Sequence, residues 1–378
     1  MNTDAGHIVV IADLGHYSAR QRVEAFARKA HALEMRLRFF ERGHDVRKVV
    51  RDGRCAGVFL CNVREAELAH EALRGCSKPI VEASRKLEAT WPQVFVDEED
   101  LVEMAFRHFR LLQRESYAYC GRRGMCSSEE RERMFRARVA AAGAHFTSVS
   151  LDVSADARSR KEIRGFLGRL PRPANLLGFE DRIAEKVLEE CEAMGIRVPQ
   201  DVAVLSCGGD PLLTSIGSHE LSSIVIPGEE IGVRSAEILR GLLAGEAPAE
   251  RVSRVKPLEL RVRNSTDPSV STDPVIAKAL TFLRAEIREA PGVDAVARAA
   301  GVSRRGLEMR FRQKLDKSVG EQIREFRLER ALRLIRSTPK PMERIAEECG
   351  FSSAATFSRA FRTWTGTTPS AHRAKVSV

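Results

Sequence analysis

Two stretches near the end of the chain place small, turn-forming, capping and charged residues at matching positions. The first is Ala297-x3-Gly301-Val302-Ser303-x3-Leu307-x3-Phe311, and the second is Ala346-x3-Gly350-Phe351-Ser352-Ser353-x3-Phe357-x3-Phe361. In each, Ala lets two helices cross closely, Gly supplies the positive φ that ends the first helix, and Ser offers a hydroxyl to cap the second. The second helix then repeats apolar residues at i and i+4, with base-capable side chains between them. Each stretch reads as a helix-turn-helix, whose chemistry is bonding to base edges and phosphates of duplex DNA. Leu307, Phe311, Phe357, Phe361 and Trp364 are at helical spacing, which assigns them to a core rather than to base stacking.

The elements that must position these two units are legible around them. Ser318-Val319-Gly320-Glu321 has the spacing of a capping box and opens a helix running through Ile323, Phe326, Leu328, Ala331, Leu332 and Ile335 to Arg336. About 18 residues at ~1.5 Å each make a rod of roughly 27 Å. Such a spacer could set two recognition helices about one DNA turn, roughly 34 Å, apart. Ahead of the first unit, Val275 to Glu289 has Ile276, Leu280, Phe282, Leu283 and Ile287 available for a core, and Asp294 to Ala300 supports the recognition helix that starts after Ser303.

Charge is distributed to match. The chain has 62 Lys+Arg against 52 Asp+Glu, a net charge of +10, and from Ser265 onward there are 21 against 13. Most of the positive excess therefore lies on the short C-terminal part, as phosphate contact requires, although a solvated basic surface would look the same.

At 378 residues the chain is long enough for two or three domains. From residue 7 to about 262, apolar runs alternate with amphipathic stretches. Candidate strands are 8–11, 37–40, 57–60, 79–81, 117–120, 175–178 and 202–205. Candidate helices include Arg20 to Leu33, Val63 to Arg74, Leu101 to Gln113, Ser128 to Ala142 and Asp181 to Met194. Alternation of this kind predicts parallel sheets covered by helices, in two α/β lobes, with a ligand at the C-terminal strand ends between them. The polar stretch 264–274, with Asp267-Pro268 and Asp273-Pro274, reads as a linker. The expected division is thus 1–263, an effector-binding and dimerisation domain; 264–274, the linker; and 275–378, an all-α DNA-binding domain.

Eight cysteines form no C-x-x-C pair and no zinc spacing, so buried thiols are expected and no metal. No Gly-x-Gly-x-x-Gly follows the first strand and no Gly-x-Ser-x-Gly occurs, which leaves no support for a dinucleotide cofactor or an enzyme. The N-terminus lacks a signal pattern and no run approaches a membrane span. A soluble cytoplasmic protein is expected.

The run Ile345-Ala346-x3-Gly350-Phe351-x5-Phe357-Ser358-Arg359-Ala360-Phe361-Arg362-x3-Gly366-x2-Pro369-x3-Arg373 resembles the C-terminal signature of AraC/XylS-type DNA-binding domains. Thr356 and Trp364-Thr365 depart from that pattern. The resemblance implies that Arg304, Arg305, Glu308 and Met309 of the first unit face the major groove, and Ser353, Ala354, Ala355, Ser358 and Arg359 of the second. Arg305 and Arg359 are the leading base readers, because a guanidinium bonds bidentately to guanine O6 and N7. Met309 stands where the family often has Arg. Glu308 has two open roles, accepting from cytosine N4 or pairing with a neighbouring Arg. Arg310, Arg312, Lys314, Arg362 and Arg373 read as phosphate contacts, with a solubilising helix face as the equal alternative.

Ala174-Asn-Leu-Leu-Gly-Phe-Glu-Asp181 and Gly195-Ile-Arg-Val-Pro-Gln-Asp-Val-Ala-Val-Leu205 resemble the effector domain of LacI-type repressors, which is built like a periplasmic sugar-binding protein. In this order, the whole chain resembles the family of bacterial xylose-operon regulators. The resemblance implies a sugar site with Asp181 and Arg131 as ligand contacts. Helix capping at Asp181 and ionic pairing at Arg131 remain open alternatives. Gly208-Gly209 precedes Asp210 where relatives carry an acid, and Ser127-Ser128 stands where they often have Trp; three readings stay open, that Asp210 takes over the acidic role, that the ligand is not xylose, or that ligand binding is lost. The expected function is a sugar-controlled transcription regulator, an activator by family, binding promoter DNA as a homodimer and open to RNA polymerase contact. Its rival is a ligand-independent DNA-binding protein whose α/β domain only dimerises.

Overall fold

The computed structural model describes residues 6–41, 46–61, 71, 73–84, 91–153, 155–216, 220–267 and 271–376. The first lobe is a parallel sheet of order β11-β5-β4-β3-β1-β2, formed by β1 (His7–Ala12), β2 (Arg36–Glu41), β3 (Cys55–Cys61), β4 (Ile80–Glu82), β5 (Gln93–Val96) and β11 (Val252–Val255). The second has order β12-β10-β9-β8-β6-β7, formed by β6 (Ser116–Arg122), β7 (His145–Leu151), β8 (Ala174–Gly178), β9 (Val202–Gly208), β10 (Ser222–Val225) and β12 (Leu260–Arg261). Within it, only β12 runs antiparallel. This is the expected two-lobed, parallel α/β architecture.

Central strands are apolar throughout because both faces are covered, as in Ile8-Val9-Val10-Ile11 and Val202-Ala203-Val204-Leu205, all buried. The five strands beyond the seven expected, β5, β7, β10, β11 and β12, are short, polar or at an edge. In β7 all residues but Leu151 retain some exposure, so no apolar run marks it.

The covering helices are α1 (Tyr17–Ala32), α2 (Val46–Arg51), α3 (Glu98–Arg110), α4 (Cys126–Ala141), α5 (Asp156–Arg169), α6 (Asp181–Ala193), α7 (Leu213–Ile216) and α8 (Gly228–Leu243). The expected helix from Val63 to Arg74 lies mostly outside the described residues. Helix α3 follows β5 of the first lobe and leads into β6 of the second. Its Asp97 caps the N-terminus by accepting from the Glu99 and Asp100 N–H groups, while Leu101, Phe106 and Phe109 bury the inner face.

The C-terminal helices are α9 (Pro274–Glu286), α10 (Val293–Ala300), α11 (Arg304–Leu315), α12 (Val319–Ser337), α13 (Met342–Glu348), α14 (Ala354–Thr365) and α15 (Pro369–Val376). Asp273 caps α9 through the Val275 and Ile276 N–H groups. The Ser318/Glu321 capping box opens α12, whose 19 residues form the spacer rod. This rod is shared. Its first half gives Val319, Ile323 and Phe326 to a core with Ile276, Leu280, Val296, Leu307 and Phe311. Its second half gives Ala331, Leu334 and Ile335 to a core with Ile345, Ala346, Phe357 and Phe361.

Residues 264–266, the start of the stretch read as linker, form a 3-10 turn whose Ser265 and Thr266 are buried. Ser265 Oγ donates to the Val204 carbonyl, and Thr266 Oγ1 lies 2.7 Å from His108 Nε2. Burial pushes His108 down to about 3, so the imidazole is neutral. Residues 268–270 lie outside the described residues.

Candidate ligand cleft and nucleic-acid interface

A cleft of about 90 Å³ opens between the lobes, at the C-terminal ends of the strands, with room for several waters or a small polar molecule. From the first lobe come His16 and Tyr17 after β1, Arg22 of α1, and Ser84 after β4; from the second come Arg131, Phe179, Glu180, Asp181 and the Gly208–Asp210 turn. The three expected ligand contacts, Asp181, Arg131 and Asp210, thus share one cavity. His16, Arg22, Glu98 and Glu180 were not singled out in the sequence. His16 and Glu180 each stand at the N-cap of the helix that follows a strand, the one signal that could have found them.

Asp181 is the first residue of α6, and its carboxylate turns back into the sheet. Oδ1 accepts from Ser206 Oγ at 2.5 Å and Ser223 Oγ at 2.8 Å, and Oδ2 accepts from the Asp210 N–H at 2.8 Å. Burial, reinforced by the charge of Asp210, raises its pKa despite these donors. The glycines before Asp210 make this possible. A Cβ on Gly208 would fall 2.3 Å from Asp181 Oδ2, and Gly209 has φ of +83°. The Gly-Gly pair is therefore the steric condition for the turn that brings Asp210 to Asp181.

Arg131 makes a buried bidentate pair with Glu98, Nε to Oε2 at 2.7 Å and Nη2 to Oε1 at 2.9 Å, and its Nη1 donates to the Phe179 carbonyl. Burial alone would lower the pKa of this guanidinium, but the Glu98 carboxylate raises it above the ordinary value. Two polar contacts bridge the lobes. His16 Nδ1 lies 2.7 Å from Glu180 Oε2, with Arg122 contacting both, and Arg20 lies 3.5 Å from Asp210. Burial opposes ionisation of Glu180, yet the His16 bond and the nearby cations hold its pKa below the usual carboxylate range.

From this cleft, α3 runs to the first helix-turn-helix. Glu98 at its start holds Arg131; Arg110 at its end and Gln113 just beyond both donate to the Lys314 carbonyl, at 2.8 and 3.0 Å. Leu111 is buried in the core of that same unit.

In the first unit, Gly301 (φ +74°) ends α10 and Ser303 Oγ caps α11 through the Gly306 N–H. Arg304 and Arg305 are exposed, Arg304 lying 3.2 Å from Asp294, and Met309 is 57% exposed. Glu308 accepts from the Val319 N–H at 3.2 Å, so it tethers α12 to α11, a role neither sequence alternative anticipated. Arg310 pairs with Asp273 at 2.7 Å, Arg312 lies 3.7 Å from Glu321, and Lys314 is exposed.

In the second unit, Ser353 Oγ caps α14 through the Thr356 N–H, while Ala354 and Ser358 are partly exposed and Arg359 and Arg362 are exposed. Arg373 donates to the Ile335 carbonyl at 3.3 Å. The residues expected to read bases therefore lie at the caps and in the first halves of α11 and α14, and Arg304, Arg310, Arg312 and Arg373 have intramolecular partners. Six cysteines are buried, and burial pushes thiols such as Cys207 and Cys349 up to about 12. No group of three or more potential metal-ligating residues occurs among the described residues, and none of their helices is long and apolar enough to cross a membrane.

Residues 296–375 match the model of a helix-turn-helix domain, and residues 106–266 match that of a periplasmic binding protein-like domain. The chain belongs to the AraC type of transcription regulators. It is similar to the "Xylose operon regulatory protein" of Escherichia coli K12, 29% identical over 80% of each chain. Its C-terminal part is similar to the "Regulatory protein SoxS" of Salmonella typhimurium, 34% identical over 28% of this chain and 97% of that one. The solved structure of the "xylose-binding transcription activator xylR" is similar over 99% of both chains, with 25% identity and a TM-score of 0.60. This regulator thus joins a DNA-binding helix-turn-helix domain to a sugar-binding-protein-like domain.

Proposed function

We propose that this regulator is a cytoplasmic, homodimeric activator that binds promoter DNA with its two helix-turn-helix units under control of a sugar held between the lobes. Residues 1–263 form the effector and dimerisation domain, 264–274 connect it, and 275–378 bind DNA. Arg304, Arg305, Ser353, Ala354, Ser358 and Arg359 read bases; Arg312, Lys314 and Arg362 hold phosphates. Asp181, Arg131 and Asp210 belong to the effector site, Arg131 through its pairing with Glu98. The xylose named for the relatives is the first effector to try. Among relatives named as transcription regulators, a catalytic role has no support.

The observation that carries this reading is α3, which holds the cleft cation Arg131 at one end and the recognition helix α11 at the other. A ligand that prefers closed lobes shifts α3, and with it the first head, by its differential affinity for the two states. Titration calorimetry with pentoses and hexoses, followed by anisotropy of upstream DNA with and without any binder, tests it. The expected result is ligand-dependent DNA affinity that Gln113→Ala with Arg110→Ala weakens. No heat and no melting shift with any sugar would leave the ligand-independent regulator standing.

A further inference from the structure

The charges of the cleft point to a class of ligand. Its carboxylates are all matched by donors of the protein: Glu98 by Arg131, Glu180 by His16 and Arg122, Asp210 by Arg20 and the Leu212 N–H, and Asp181 by two hydroxyls and a backbone N–H. Arg22 is not matched. It projects from α1 to the cleft end of the first sheet, where Nη1 donates to the Ala83 carbonyl at 2.7 Å and the Cys61 thiol accepts from the guanidinium. Its Nε is buried without a partner, and among the described residues no carboxylate forms an ion pair with it. Burial accordingly lowers the pKa of this guanidinium, with only partial relief from the Cys61 thiol and from the carboxylate of Glu98, which Arg131 already engages.

A shielded cation that bonds only a carbonyl and a thiol, with its nearest carboxylate already held by another guanidinium, is unfavourable unless an anion joins it. A guanidinium is also the side chain best shaped to take a carboxylate through two parallel N–H bonds. The rest of the lining is polyol chemistry: Tyr17, Ser84 and Ser127 supply donors and acceptors, and Phe95 supplies an apolar face. We propose that the effector is a polyhydroxy acid, an aldonate or uronate, whose carboxylate pairs with Arg22 while its hydroxyls meet the lining from both lobes. The proposal rests on the cleft being the effector site and narrows the sugar to its acidic form.

Calorimetry on the full chain with matched pairs tests it: D-xylose against D-xylonate, D-glucose against D-gluconate, and D-galactose against D-galacturonate. The expected result is an acid bound about 30-fold or more tighter than its neutral partner, the worth of a charged hydrogen-bonded pair. Arg22→Gln removes that preference, Arg22→Lys keeps part of it, and Arg22→Gln melts no lower than the parent without ligand, since it deletes an unmatched charge. Neutral sugars binding as tightly as their acids would overturn the proposal and leave the sugar-sensor reading intact. A large loss of ligand-free stability in both Arg22 variants would also overturn it, by making the residue structural. Binding of neither class would overturn both readings.

Discussion

The two helix-turn-helix units share a plan and differ in what holds them. Leu307 and Phe311 of the first superimpose in role on Phe357 and Phe361 of the second, each pair fully buried. The first turn, however, has one residue fewer between Gly and the capping Ser. The first unit is braced from outside: Arg110 and Gln113 hold its recognition helix, Leu111 enters its core, and Arg310 pairs with Asp273. The second hangs on α12 and on the close seat of Gly350, where a Cβ would fall 2.9 Å from the Ile287 carbonyl. One head is placed by the effector domain and the other by the rod. Under the proposed control by a ligand in the cleft, a signal would reach them unequally.

The most severe test of that difference is a methyl group. Gly301 and Gly350 share φ of +74°, but only Gly350 has backbone within reach of a Cβ. Gly350→Ala is expected to cost about 3 kcal/mol or more, and Gly301→Ala about 1–2 kcal/mol from backbone conformation alone. Chemical denaturation of both variants measures it, and equal losses would remove the special seat of the second head.

Base reading should be unequal in the same way. Arg359→Ala is expected to lose about 1–3 kcal/mol of DNA affinity and relax selectivity at one base pair. The corresponding Met309→Ala should leave selectivity unchanged, whereas Arg362→Ala should weaken all sequences alike. Binding to single-base variants of the site distinguishes these outcomes.

Between the heads, Glu329 of α12 lies in a cavity of about 600 Å³ with Arg261, Arg263, Arg284, Arg330 and Arg333. Burial raises its pKa to about 7, although Arg284 pulls the other way. The folded state thus holds this proton more tightly than the unfolded chain. Its contribution is complete below about pH 4 and is lost as pH rises to about 7. Glu329→Gln should therefore melt higher than the parent at pH 8, by on the order of 1–2 kcal/mol, and equally at pH 4. A parallel offset at both pH values would refute the titration.

The smallest effect concerns Glu308. Because its carboxylate accepts from the Val319 N–H, Glu308→Ala should cost about 1 kcal/mol of stability and leave base selectivity intact. Selectivity lost at a single C·G pair would return it to base reading.

Both heads were legible because their signals are local. Gly ends a helix, Ser caps the next, and apolar residues at i and i+4 mark a core, all within about 15 residues of chain. The two-lobed fold was legible from its long buried strands, and the shorter ones were not: β5, β10 and β12 lack the apolar run that a four-residue rule needs. The cleft was legible only where a residue follows a strand and matches a family pattern, as Asp181 does. Arg22 and Glu98 lie within helices, and nothing local sets them apart from the other charged residues of a basic chain.

The sequence by itself determined the two reading heads, the rod between them and the class of domain that precedes them, since each follows from periodicity and capping along a short segment. Partnership was decided by tertiary structure alone. Only folding brings Glu98 to Arg131 across 33 positions and Arg110 to Lys314 across 204. Only folding leaves Arg22 in the cleft without an ion-pair partner among the described residues. Charge pairing depends on distance and dielectric, and neither is a property of the chain until the lobes pack.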